Sequence, residues 1–133
     1  MKTPERFPPD DPREWLNRAR SNLALAKNRI PGAYLEDLCF EAQQAAEKSL
    51  KAVMVLRSIQ FPFVHDLSRL VSMIENEGVE VPEVLLRAEK LTIYAVITRY
   101  PGVVRPVTEQ EYLEAVEIAD SVVLWAEKTI LAC

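Results

Sequence analysis

Glycine and cysteine are both scarce in this sequence, whose 133 residues include three glycines and two cysteines. A β-sandwich needs many tight turns, so the shortage of glycine argues against that fold. Cys39 and Cys133 do not make the framework of paired cysteines seen in small secreted proteins, and they lack the spacing of a zinc site. We therefore expect a cytoplasmic protein with no metal and no cofactor.

An excess of positive charge is also missing, because 16 Lys and Arg stand against 20 Asp and Glu, for a net charge of -4. This balance argues against a broad DNA-binding surface but allows a local cationic pocket. No charge-free apolar run has the length of a membrane span, so we expect no membrane segment. Residues 1–10 lack the apolar core of a secretion signal and should form a loosely ordered tail, followed by one domain over residues 11–133.

Helical periodicity is what the sequence does contain. Asp11 before Pro12 is a start signal, and Thr108 with Glu111 forms a capping box. Apolar residues at helical spacing predict five helices, at about residues 11–30, 33–60, 65–75, 82–100 and from 108 onward. The short connections favour antiparallel neighbours, so we predict an all-α fold, an up-and-down four-helix bundle with one additional short helix.

Two of the predicted helices carry surfaces that suit a partner. A row of small residues on the fourth helix, Ala88, Thr92 and Ala95, lies in line with Arg99 and would let another backbone come close. The inner stripe of this helix is predicted at Leu86, Leu91, Ile93, Tyr94, Ile97 and Tyr100. A mixed face on the second helix predicts a further contact surface, formed by Phe40, Gln44, Glu47, Lys51 and Val55.

Three polar segments interrupt the apolar patterns: Gln43–Lys51, His65–Asp66 and Arg99–Pro101. Arg99 is the central candidate, because a guanidinium keeps its charge and forms forked hydrogen bonds with phosphate. His65 is the sole histidine and could transfer protons, so Arg99 and His65 are the candidate catalytic residues. The candidate ligand-binding residues are Arg99, Lys48, Lys51, Glu47, Asp66, Tyr100 and Arg105.

Each polar segment also has a purely structural interpretation. Arg99 could bind the free carbonyls at a helix end. The His65–Asp66 pair could simply cap a helix. Glu47 and Lys51 are one turn apart, and an exposed pair at that spacing contributes only about 0.2 to 0.5 kcal/mol. The residues alone leave both interpretations open.

Taken together, Glu41–Lys51, His65–Leu67 and Arg99–Pro101 resemble in order and spacing the three signature segments of the HEPN domain family. The resemblance spans nearly the whole chain. It implies a helical bundle that usually dimerises, is often encoded with a minimal nucleotidyltransferase, and in many members is a ribonuclease toxin or binds nucleotides. Ribonuclease members have an Arg followed after four to six residues by a His, whereas the corresponding positions here are Val104, Arg105 and Pro106.

Three functional hypotheses result. The first is a dimeric HEPN-like domain that binds a nucleotide or RNA phosphate through Arg99, in a toxin–antitoxin type pair with a nucleotidyltransferase. The second is a metal-independent ribonuclease in which His65 replaces the missing downstream histidine. The third is a non-enzymatic dimeric interaction module that uses the mixed face and the row of small residues.

Overall fold

The computed structural model describes residues 3–97 and 105–132, and every regular element in these ranges is helical. The elements are α1 (Pro12–Lys27), α2 (Leu35–Leu56), α3 (Leu67–Asn76), a 3-10 helix (Glu83–Leu91), α4 (Tyr94–Ile97) and α5 (Glu109–Leu131). The predicted all-α bundle is confirmed. Within the described ranges, no helix combines the length and the apolar character that a membrane crossing requires.

The long elements alternate in direction. Arg20 and Lys27 of α1 pair with Glu127 and Asp120 of α5, each at 2.9 Å, and the reversed order of the partners makes α1 and α5 antiparallel. The ion pairs between the 3-10 helix and α5 show the same reversal. α2 packs against both α1 and α5. Trp15, near the start of α1, contacts Phe61, which follows the end of α2, so α1 and α2 are antiparallel and the described elements form an up-and-down bundle.

The core is centred on α2, which contributes more buried residues than any other element described. Its alanines are fully buried and allow neighbouring helices to approach closely. The largest fully buried apolar side chains are Leu50, Met54, Leu67, Leu70, Ile74, Leu85, Leu91 and Ile118. Since α2 is surrounded on several sides, even its polar side chains enter the interior.

The predicted starts of α1 and α5 are accurate, whereas the end of α1 and both bounds of α2 are not. Asp11 caps α1 by accepting a backbone amide of its first turn, and Thr108 with Glu111 makes the predicted capping box. However, α1 ends at Lys27, and Ile30, which the predicted range of 11–30 includes in this helix, lies beyond it and is 48% exposed. α2 is likewise shorter than predicted at both ends.

The prediction of one continuous α-helix over residues 82–100 is wrong in its first part. Residues 83–91 form a 3-10 helix, in which side chains three apart lie on one line. Leu85, Leu91 and Ala88 therefore face the core, while Leu86 and Ile93 of the predicted inner stripe are 54% and 52% exposed. Tyr94 of that stripe is buried, and Tyr100 lies outside the described residues.

The row of small residues lies inside the bundle and not on a partner surface. Ala88 and Ala95 are buried, and the hydroxyl of Thr92 accepts a hydrogen bond from the Leu67 amide at 3.2 Å. The expected close approach of a second backbone is thus made by the start of α3 in the same chain. The interpretation of this row as a dimer surface is wrong for Ala88 and Ala95.

Residues 3–10, which were expected to be a loosely ordered tail, make hydrogen bonds with α1. The Asn17 side-chain amide donates to the Glu5 carbonyl at 2.9 Å, and the Phe7 amide donates to the Glu14 carboxylate at 2.9 Å. These bonds lay the segment along the first two turns of α1. The boundary between tail and domain stays a prediction.

Candidate functional site

Four polar residues form one hydrogen-bonded group, here called the Glu47 cluster: Gln43, Glu47 and Lys51 of α2, and His65. Lys51 Nζ donates to Glu47 Oε2 at 2.9 Å, while Gln43 Nε2 and His65 Nδ1 each lie 2.9 Å from Glu47 Oε1. The side chains of Glu47 and Lys51 are only 6% and 9% exposed. The first two polar segments of the sequence therefore meet in space.

Helical spacing and a returning loop assemble the cluster. Gln43, Glu47 and Lys51 follow one another at intervals of four and so share a face of α2. After α2, Ser58 adopts a left-handed conformation with φ 57° and the Ile59 amide donates back to the Met54 carbonyl at 2.8 Å. The chain then runs back along α2 to the start of α3, which brings His65 onto Glu47.

An aromatic pair covers the ammonium group of Lys51. Phe61 of the returning loop has its ring centre 5.0 Å from Lys51 Nζ, and Trp15 of α1 packs edge-on against Phe61 at 5.5 Å. A ring face attracts a cation, most strongly where water is excluded. The ammonium is therefore held between a carboxylate and a ring.

Glu47 is ionised within this setting. Burial by itself favours the neutral acid, but the hydrogen bonds from His65, Lys51 and Gln43 outweigh burial and lower the pKa of Glu47 below its usual value. An ionised carboxylate only accepts hydrogen bonds, so it selects the form of His65 that carries a proton on Nδ1.

His65 is the exposed member of the cluster. Its side chain is 46% exposed, and no hydrogen bond from the described residues engages Nε2. With Nδ1 fixed by Glu47, Nε2 can accept a proton from a ligand when the ring is neutral and donate one when it is charged. This orientation of an imidazole by a carboxylate is the arrangement that general acid–base groups use.

The expectation that Glu47 and Lys51 belong to an outward contact surface is wrong, because both face the loop of the same chain. Gln44 of the same predicted face is partly buried and donates to Gln43 at 2.7 Å. The predicted exposed ion pair is thus a buried one. Burial makes its loss costly and removes Lys51 from direct contact with solvent.

The other predicted site residues lie elsewhere. Asp66 caps α3 by accepting from the Ser68 amide at 3.1 Å, in line with its structural interpretation. Lys48 donates to Asn22 of α1 at 2.9 Å and lines a separate cleft. Arg99 and Tyr100 lie outside the described residues. The ligand-binding roles of all four stay predictions.

Arg105 forms a forked ion pair at the start of α5. Its two terminal nitrogens lie 2.7 and 2.8 Å from the Glu111 carboxylate oxygens. The hydrogen bond from Arg105, together with the capping bonds of Thr108, lowers the pKa of Glu111 to about 2. Arg105 and Ile97, which flank the undescribed residues 98–104, line one cavity of about 290 Å³.

Two further reactive side chains are buried and inert. Burial raises the pKa of the Cys39 thiol to about 12 and that of the Tyr94 phenol to about 12. A thiol with that pKa carries almost no thiolate at neutral pH and is a poor nucleophile. Across residues 3–97 and 105–132, no group of three or more His, Cys, Asp or Glu is placed to hold a metal ion.

Sequence reasoning missed Phe61 and Trp15 as parts of the site and did not assign Gln43 a role. Gln43 had a usable signal, since it precedes Glu47 by one helical turn. Phe61 and Trp15 had none, because the first lies on a loop and the second on another helix. Their proximity to Lys51 depends on how α1, α2 and the loop pack.

Comparisons with known proteins agree on one family. The family model described as HEPN domain matches residues 12–129. The crystal structure of TT1696 from Thermus thermophilus is similar, with 35% identity and a TM-score of 0.77 over 89% of this chain and 97% of that one. ST0689, an archaeal HEPN homologue, is 27% identical with a TM-score of 0.73, over 90% of this chain and 98% of that one. The curated proteins include no match. With the family model covering the chain from the first turn of α1 almost to the end of α5, the chain belongs to the HEPN family.

Proposed function

We propose that this HEPN chain binds the phosphate of a nucleotide or of RNA, with Arg99 as the cation and His65 as an oriented polar contact. The observation that supports the proposal most is the 2.9 Å hydrogen bond between Glu47 and His65. It joins two polar segments that are distant in the sequence and leaves an imidazole half exposed at the surface. The same hydrogen bond that satisfies the buried carboxylate leaves Nε2 of the ring on the exposed side, where a ligand can reach it.

The chemistry of the two residues is complementary. A guanidinium offers a fixed fork of donors to phosphate oxygens at any pH. An imidazole held through Nδ1 presents its second nitrogen, Nε2, as one further polar contact for a phosphate oxygen. Lys48, Lys51 and Arg105 stay predictions as supporting cations. The ion pairs of Lys51 with Glu47 and of Arg105 with Glu111 support the view that Arg99 contributes more of the attraction than these two cations.

We also propose that the chain acts as a homodimer, paired with a nucleotidyltransferase in a toxin–antitoxin type system. The family resemblance supports this assignment, and so does an apolar surface on the 3-10 helix and α4. Leu86, Ile93 and Val96 there are each more than half exposed, which is unusual for large apolar side chains so close together. If the chain were only an interaction module, it would form this dimer without binding any nucleotide. Size-exclusion chromatography with light scattering measures the dimer directly.

Calorimetry tests the binding proposal. We expect a nucleoside monophosphate or a short single-stranded RNA to bind the wild-type protein. Binding to Arg99→Ala should be at least about tenfold weaker, because the variant loses one forked, charge-assisted hydrogen bond to phosphate. Arg20→Ala is the matched control, because it removes the same charge from the exposed surface of α1. Unchanged affinity in Arg99→Ala would remove Arg99 from the function.

A metal-independent ribonuclease is the second candidate, and the Glu47–His65 geometry favours it. His65 would exchange protons at Nε2 while Glu47 holds the ring. Purified wild type and His65→Gln would be incubated with structured and single-stranded RNA in the presence of a chelator. Cleavage that disappears in His65→Gln supports this function, and equal absence of cleavage in both proteins leaves phosphate binding alone.

A further inference from the structure

A polar cleft separate from the Glu47 cluster lies between the N-terminal segment, α1 and α2. It has a volume of about 300 Å³, at the lower end of the range for small-molecule sites. None of the four residues of the Glu47 cluster lines it. The lining residues are Pro4, Glu5, Arg6, Glu14, Asn17, Arg18, Ser21, Asn22 and Lys48.

The N-terminal segment forms one wall of this cleft. The bonds from Asn17 to the Glu5 carbonyl and from the Phe7 amide to Glu14 fix the backbone on either side of Arg6. Arg6 is thereby brought to the same cleft as Arg18 of α1 and Lys48 of α2. Three cations from three segments of the chain converge there.

The two carboxylates of the lining do not neutralise these cations fully. Glu14 is 7% exposed and already accepts from the Phe7 amide and from Arg18 Nε, the latter at 2.7 Å. The hydrogen bond from the Phe7 amide and that from Arg18 lower the pKa of Glu14, so it is ionised and each of its oxygens already accepts one hydrogen bond. Glu5 is the second carboxylate and stands beside Arg6 in the chain.

Lys48 makes no ion pair within the described part of the chain, although it is partly buried. Its ammonium donates to the neutral amide oxygen of Asn22 at 2.9 Å, which leaves two of its three protons for other acceptors. Burial and, to a smaller degree, the positive charge of Arg18 lower the pKa of Lys48, while the charge of Glu41 opposes that change. An anion in the cleft would relieve this unfavourable environment.

From this convergence we infer that the cleft is a second anion-binding site, which takes the phosphate group of a small molecule. Lys48 and the free terminal nitrogens of Arg18 supply charged donors to the phosphate oxygens. Ser21, which also lines the cleft, supplies a neutral one. Arg6 closes the site from the N-terminal side. His65 is not among the described residues that line this site.

Nuclear magnetic resonance of the 15.1 kDa chain can map the site residue by residue. Inorganic phosphate, adenosine monophosphate and adenosine would each be titrated at constant ionic strength, because salt screens unspecific attraction. We expect the two phosphate-bearing ligands, and not adenosine, to shift the amides of Arg6, Arg18, Ser21 and Lys48 to saturation.

Two variants test whether phosphate binds in the cleft itself. Lys48→Met keeps the aliphatic stem and should weaken phosphate binding at least about tenfold, as expected for the loss of a charge-assisted bond. Arg20→Gln, on the same helix as Arg18 but paired with Glu127 outside the cleft, should leave affinity within about twofold, since an exposed pair of this kind contributes little. Should Lys48→Met fail to fold, Arg18→Gln tests the same site.

The outcomes also separate this inference from the proposed function. If Arg99→Ala abolishes phosphate binding and Lys48→Met does not change it, the cleft inference is wrong and the function stands. If Lys48→Met abolishes the shifts in the cleft and Arg99→Ala leaves them unchanged, the cleft is a site in its own right. Shifts of equal size with adenosine would show that phosphate is not what the cleft recognises and would overturn the inference.

Discussion

Lys48 and Lys51 lie less than one turn apart on α2 and have opposite environments. Lys51 is 9% exposed, bonded to the carboxylate of Glu47 and covered by the ring of Phe61. Lys48 lines an open cleft and has a neutral amide as its hydrogen-bond partner. Neighbouring lysines of one polar segment therefore differ in burial and in the charge of their partners, because they lie on different faces of α2.

Removal of the Glu47 carboxylate, at the centre of the Glu47 cluster, should have the largest effect on the free energy of unfolding. Glu47→Gln keeps the shape of the side chain but leaves the Lys51 ammonium buried without its counter-charge. We expect the free energy of unfolding to fall by about 3 kcal/mol. Urea denaturation followed by circular dichroism measures it. Asp120→Asn, which breaks the exposed pair with Lys27, is the control and should change the same quantity by less than about 1 kcal/mol.

Substitution of the two lysines tests the contrast itself. Lys51→Met should lower the free energy of unfolding by about 2 kcal/mol, because Glu47 loses a charged hydrogen bond but keeps those from His65 and Gln43. Lys48→Met should change it by less than about 1 kcal/mol, because one bond to a neutral amide is lost and an ammonium no longer needs to be desolvated. Equal destabilisation by the two variants in urea melts would contradict the assigned difference in environment.

The smallest expected effect is a change in the pH dependence of the free energy of unfolding, which should separate Glu47 from Lys48. The folded state lowers the pKa of Glu47 below its usual 4.5, so its contribution is complete at pH values above 4.5 and is lost as the pH falls through the lower folded value. The stability difference between wild type and Glu47→Gln should therefore be constant near neutral pH and shrink below pH 4.5. Urea melts of both proteins between neutral and acidic pH would show this. The Lys48→Met variant should follow the wild type over the same range.

Local chemistry was enough to predict several elements. The capping residues Asp11 and Thr108 mark the starts of α1 and α5, because a side chain that accepts a first-turn amide acts within a few residues. The 3-10 helix was not predictable in the same way. Leu85, Leu86 and Leu91 fit an α-helical stripe about as well as a 3-10 one, and packing against α3 and α5 selected the alternative.

Some features of the candidate site were likewise predictable from local spacing, and others were not. The spacing of Gln43, Glu47 and Lys51 places them on one helix face whatever surrounds α2. The spacing alone does not indicate whether that face contacts water or protein. For this reason the outward surface predicted at Glu47 and Lys51 is wrong. The loop that carries Phe61 and His65 back along α2 converts the face into a buried cluster.

Helical periodicity and capping residues were sufficient to predict an all-helical chain and the starts of α1 and α5, because they act within a few residues, and the order of three polar segments was sufficient to recognise the family. Burial of Glu47 and Lys51, orientation of His65 by Glu47, and the meeting of Lys48 with Arg6 and Arg18 in a cleft could be seen in the folded chain alone. The physical reason is that burial and electrostatic environment depend on residues distant in the chain, and only packing brings those residues together.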